Sequence, residues 1–286
     1  MGPGSNHDNL SPAPLNSERP LTKNITSFPQ LKKNEQRGSK PRCHLLTHGS
    51  DQEVAARLSG LCAPFATVSA SNQWMPRGFE AIEECQLHQR SRVLDSELCD
   101  RLAAWWLPKD QLSDRTPNFD IAANCLVEGR PGMLLVEAKA YDKELIRESG
   151  GRKVKSSNPK EQSLRDSSHK TIGAAIDEAL SGLSVQTGLN FGISRDTCYQ
   201  LSNRFAWAWK LADSGLPVVL IYLGFLNAED MARDGQPFRN HDDWERLVRS
   251  HSAKVVPEAI WNQKWTVNGR PFFPIIRSIS QPLENK

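Results

Sequence analysis

The sequence predicts an α/β (α+β) chain in which helices flank a central mixed sheet, and three stretches predict it. Pro117 to Tyr141, PNFDIAANCLVEGRPGMLLVEAKAY, holds two apolar runs of strand length joined by turn-forming residues. Tyr199 to Leu226 carries Leu201, Phe205, Ala208 and Ala212 at helical spacing, a Gly215-Leu216-Pro217 break and then an apolar strand, which makes an αβ unit. Asp95 to Leu107 sets Leu98, Leu102, Trp105 and Trp106 on a helical stripe that Asp95 or Ser96 can cap and Pro108 ends.

Composition excludes several classes. At 286 residues the chain can bury a substantial core, and 38% hydrophobic with 24% charged residues is ordinary for a globular protein. The longest apolar runs, such as Leu216 to Leu226, are too short to span a bilayer. No charged start with an apolar core marks the N-terminus for export, so the expectation is a cytoplasmic protein with no membrane partner. The six cysteines form no CxxC pair and read as reduced thiols, and Cys43, His44, His48 and Cys62 match no recurrent zinc spacing. A net charge of +3 permits nucleic-acid binding without requiring it.

In chain order, residues 1–42 lack apolar periodicity and read as a flexible basic arm. Residues 43–286 then read as a single domain with its core at about 95–226. Helices are expected at Gln52 to Leu61 and Gly78 to Gln89 before the strong one at Asp95. In the hairpin, Asn118 to Val127 and Met133 to Tyr141 are strands and Glu128 to Gly132 is the turn. Alternation puts Glu137 and Lys139 on one face, and Asp120 joins them only if the loop has an even number of residues or a bulge intervenes. Leu134-Leu135-Val136 reads as buried on both sides, so the charges that follow must emerge into a cleft or pair internally.

Ser149 to Ser168 reads as a long polar loop rich in base, with Arg152, Lys153, Lys155, Lys160 and Arg165 against Glu161 and Asp166. A packing helix follows at about His169 to Leu183. On the helix that starts at Tyr199, Gln200 and Arg204 lie a quarter-turn from the apolar stripe, where they either reach an active site or are ordinary surface residues. A helix at about Asp242 to Lys254 and a short hairpin around Asn268-Gly269 form a C-terminal extension.

The chemistry these charges suit is metal-assisted phosphodiester hydrolysis. Magnesium takes oxygen ligands and keeps several waters, so one or two carboxylates and a carbonyl suffice. Asp120, Glu137 and the Ala138 carbonyl supply that set, and Lys139 projects to the same side as a base or electrostatic stabiliser. Glu97, in the first turn of its helix, is either an extra ligand or a favourable charge at the positive helix end.

Asp120, sixteen intervening residues and Glu137-Ala138-Lys139 resemble the D…ExK motif of the PD-(D/E)XK nuclease superfamily. The resemblance spans roughly Asp95 to Leu226. It implies a restriction-endonuclease-like core of helix, three strands, helix and strand, with the first strand short, displaced or absent because Lys109 to Thr116 is too polar. It further implies a magnesium-dependent endonuclease, with manganese able to substitute, acting most plausibly on DNA. A homodimer would suit cutting of both strands. Gln200 and Arg204 match the polar residues that some members carry on the later helix, and Lys153 and Lys155 would help hold phosphates. The competing expectation is a catalytically silent module that keeps the fold to bind nucleic acid or protein.

Overall fold

The computed structural model describes residues 28, 30–88, 92–111, 116–152 and 155–283. Two short helices, α1 (Ser39–Leu46) and α2 (Asp51–Cys62), precede the strand pieces β1 (Ala66–Thr67), β2 (Trp74–Met75) and β3 (Cys85–Gln86). Then come α3 (Ser96–Trp106), β4 (Asn118–Phe119), β5 (Ile121–Val127), β6 (Arg130–Lys139), α4 (Asp142–Ile146), α5 (Pro159–Thr187) and α6 (Tyr199–Asp213). The chain closes with β7 (Val218–Leu226), α7 (His241–Ser252), β8 (Trp265–Val267) and β9 (Arg270–Ser280).

The central sheet is mixed, in the order β1-β5-β6-β7-β9-β8, with β2 also on β5. β5 and β6 are an antiparallel hairpin, whereas β6, β7 and β9 run parallel. Period-2 alternation divides β6 cleanly. Leu135 packs on one face with Leu102, Ile176 and Phe205, drawn from α3, α5 and α6. Leu134, Val136 and Ala138 pack on the other with Val54 and Leu58 of α2. Helices on both faces explain why β6 and β7 are apolar without alternation.

Several expectations need correction. The turn is only Glu128-Gly129, both at positive φ (49° and 77°), so Arg130, Pro131 and Gly132 belong to β6. Two consecutive left-handed residues give the turn whose twist matches a two-residue hairpin, and the glycine takes the second place without a Cβ penalty. The basic arm does not reach residue 42. Phe28 stacks on Phe79 at 5.0 Å, Leu31 is buried, and Arg42 is buried in an ion pair with Asp230 at 2.5 Å. These anchors are too sparse to register as periodicity. Residues 1–27 lie outside the described residues.

Among the described residues of the expected helix, 78–88, no helix forms, because Cys85-Gln86 pairs instead with Asn118-Phe119 as a small second sheet; Gln89 lies outside the described residues. The polar loop of 149–168 ends early, as α5 starts at Pro159 with Asn158 capping it. Its exposed first turns are supported by the Glu161–Arg165 pair at i,i+4 rather than by an apolar stripe, which is why they looked like loop. The C-terminal hairpin forms as expected, β8 pairing antiparallel with β9 around Asn268-Gly269, but it is not an extension outside the core. β9 lies beside β7, with Phe272, Phe273, Ile275 and Ile276 all buried, so the sheet core extends well past Leu226 into β9.

The slot beside β5 is filled by β1 and β2, which precede α3 in the chain. The expected order of a helix followed by three strands is not observed, since β1 and β2 lie upstream of α3. Among the described residues no helix is long and apolar enough to cross a membrane.

Candidate active site

Two strand registers meet at Asp120. The β5–β6 ladder runs from Val127↔Arg130 to Ile121↔Val136, so its continuation sets Asp120 opposite Glu137. The two-residue turn is even, and this is the register that puts Asp120 on the face of Glu137 and Lys139. Asp120 Oδ2 accepts the Ala138 N–H at 2.7 Å. In an extended strand the carbonyl of a residue faces the same edge as its N–H, so the Ala138 carbonyl also faces the Asp120 side. On the other flank Cys85 pairs with Phe119, and that ladder's continuation sets Glu84 opposite Asp120.

Glu137 is covered from above by α6. Gln200 Nε2 donates to its Oε1 at 2.7 Å and Arg204 Nε to its Oε2 at 2.5 Å. One helical turn separates the two donors, so a single helix face serves both oxygens. Lys139 Nζ also bonds Oε1 and forms an ion pair with Glu148 at 2.5 Å. Glu137, Lys139 and Arg204 are 1%, 5% and 5% exposed, so this is a buried ion cluster rather than a surface pair. Arg204 further donates to Asn203 Oδ1 and lies over the Phe119 ring at 4.9 Å. Glu148 Oε2 and the Tyr222 hydroxyl are buried with no protein partner among the described residues.

The charges do not balance. Among the described residues, the cations that act on Asp120, Glu137 and Glu148 are Lys139 and Arg204. Burial raises the Glu137 carboxyl's proton affinity, but the charges of Arg204 and Lys139 outweigh it and hold the group below its ordinary range. Asp120 has no such cover, and burial together with the charge on Glu137 pushes it well up. Burial opposes the charge on Lys139 too, yet Glu137, Glu148 and Asp120 together raise its affinity, so it stays an ammonium. Burial pushes Glu148 up to about 7.

Glu148 therefore makes stability fall as pH rises. Between its unfolded value of 4.5 and about 7 the folded protein holds more protons than the unfolded chain, so deprotonation costs folding free energy. Asp120 acts in the same direction. Urea unfolding should show a loss on the order of 2–3 kcal/mol from Glu148 alone between pH 4.5 and 7, and Glu148→Gln should remove that share of the slope. A slope unchanged by the substitution would contradict the assignment.

A cleft of about 490 Å³ opens beside this cluster, with Glu84, Asn118 and Asp120 on one wall and Gln200 and Arg204 on the other. Glu84 is held there by Asn118 at 2.9 Å and Lys40 at 3.1 Å. Sequence reasoning missed Glu84, because its stretch read as helix. It also missed Glu148, which lies in a short 3-10 turn with no motif around it.

The structure brings Asp120, Glu137, Ala138, Lys139, Gln200 and Arg204 together. It does not bring Glu97, whose side chain is 83% exposed and paired with Arg101 at 2.7 Å. The α3 stripe buries Leu98 and Leu102, which turns the Glu97 carboxylate outward at the positive helix end. Lys155 is exposed and does not line the cleft, its carbonyl accepting Arg165 Nη1, and Lys153 lies outside the described residues. Among the described residues no three His, Cys, Asp or Glu side chains converge as a metal cage. No family model, curated protein or solved structure matches the chain.

Proposed function

We propose that this protein is a metal-dependent nuclease that hydrolyses phosphodiester bonds, most plausibly in DNA, on a restriction-endonuclease-like core. The observation that carries the reading is the register setting Asp120 beside Glu137, with Lys139 on the same face and the cleft at Asp120. The donors available are all oxygens, namely Asp120, Glu137 and the Ala138 carbonyl, which suits magnesium, and manganese by the same chemistry. Two carboxylates fall below the count of a metal cage but not below what magnesium needs. The excess of carboxylate over cation in the cluster is the feature a divalent ion would relieve, and burial together with the charge on Glu137 raises the proton affinity of Asp120.

Magnesium held there would supply a water of lowered pKa and neutralise charge gathering on the phosphate. Lys139, kept as an ammonium by Glu137 and Glu148, stabilises developing negative charge rather than removing a proton. Gln200 and Arg204 hold the Glu137 carboxylate in one orientation from the same helix face. One observation favours a second reading, a silent binding module with the same fold: both Glu137 oxygens are already engaged by protein donors.

The deciding experiment offers linear, circular and single-stranded DNA and RNA to the purified protein with magnesium, manganese or EDTA. Cutting should require metal, vanish in Lys139→Ala and survive in Glu97→Ala. Binding without cutting under every metal condition would leave the binding-module reading in its place.

A further inference from the structure

We infer that Arg152 is a phosphate-binding residue of this cleft, gripping a backbone phosphate of the nucleic-acid strand that enters beside Asp120. The inference rests on the nucleic-acid reading above and adds to it a contact that D…ExK spacing does not encode.

Arg152 lines the same cleft as Asp120, Gln200 and Arg204. Unlike Arg204, it forms no ion pair with a carboxylate among the described residues, although Glu84 and Asp120 line the same cleft. Its side-chain partners are neutral, the Arg165 carbonyl at 3.3 Å and the Tyr199 hydroxyl. A guanidinium has five N–H donors, so these two acceptors leave donors and the whole charge available to the cleft. A half-buried cation held by neutral acceptors is the arrangement that an incoming anion completes, and a planar fork suits two phosphate oxygens at once.

The backbone under Arg152 is fixed before any ligand arrives. Cys198 N donates to the Ser149 carbonyl at 3.2 Å, Tyr199 N to Gly150 at 3.1 Å, and Arg152 N to Arg195 at 2.8 Å. These three bonds lay residues 149–152 along residues 195–199, which lead straight into α6. Gly151 is required by that closeness, since a Cβ there would meet the Asp196 carbonyl oxygen at 2.6 Å. Arg152 is thus tied to the start of the helix that carries Gln200 and Arg204, and its position relative to Glu137 follows from α6 itself. An ion-pairing group set in advance loses little entropy on binding.

The cleft volume of about 490 Å³ lies within the range of small-ligand sites, enough for about one nucleotide with its phosphate. The contact is therefore to the strand locally, and it reads charge rather than base.

The test measures binding of one oligonucleotide, single-stranded and as duplex, with calcium in place of magnesium across a salt series. It compares the wild type, Lys139→Ala, Arg152→Gln and Arg152→Lys, each checked for native thermal unfolding. Arg152→Gln should weaken binding roughly tenfold or more. Its salt slope should drop by about 0.7 on single strands or 0.9 on duplex, the signature of one lost phosphate contact. Arg152→Lys should restore the slope, because it keeps the charge. Gly151→Ala should mimic the loss with Arg152 still present. Binding by Arg152→Gln with unchanged affinity and slope, while the wild type binds and cuts, overturns the phosphate contact alone. A wild type that binds no nucleic acid overturns it together with the functional reading.

Discussion

Glu137→Ala is expected to destabilise the fold by about 3–5 kcal/mol, the range measured when one partner of a buried ion pair is removed. The reason is the density of cation around this carboxylate. Lys139 and Arg204 are both nearly inaccessible, and among the described residues the lysine without Glu137 keeps its pair with Glu148 while the guanidinium keeps the Asn203 amide and the Phe119 ring. Thermal unfolding should fall by on the order of 10 °C. Glu137→Gln should cost less, because an amide oxygen still accepts one of the donors. Further replacement of Arg204 and Lys139 by methionine in the Ala background should recover part of the loss, since it removes the stranded charges. A Glu137→Ala protein as stable as wild type would show that the cluster is open to solvent and not buried.

Asp120→Asn should do the opposite, leaving stability intact or slightly higher while removing cleavage. Asp120 is the carboxylate whose proton affinity burial and Glu137 drive up, so a neutral side chain of the same shape relieves repulsion. The amide oxygen can still accept the Ala138 N–H, which keeps the hairpin end in place. If Asp120 is a metal ligand, cleavage should fall at least 10²- to 10³-fold, the size lost when one electrostatic group of a site is deleted. Calorimetric magnesium binding should weaken in parallel. Cutting that persists in a stable Asp120→Asn protein would remove Asp120 from the site.

The contrast between the two carboxylates could not be drawn from their motif, which treats them as equivalent. It depends on who stands opposite. Glu137 lies under α6, whose Gln200 and Arg204 are 63 and 67 residues away in the chain, whereas Asp120 faces the cleft and Glu84.

By itself the sequence determined the hairpin, the face shared by Glu137 and Lys139, the helix that Asp95 or Ser96 could cap, which the structure caps at Asp95, and the α6–β7 unit. Each of these is set within a few residues, by period-2 or period-3.6 burial and by turn and cap chemistry. The evenness rule for Asp120 was legible too, although the turn itself is two residues long because Arg130 to Gly132 pair with β5. Only the tertiary structure decided the rest. β9 beside β7, the upstream strands beside β5, Glu84 opposite Asp120 and Glu148 against Lys139 all join segments that carry no local signal for one another. Long-range neighbours are chosen by which apolar faces can be buried together, and charges such as Glu148 and Arg152 are carried to the site by that packing rather than by their own sequence context.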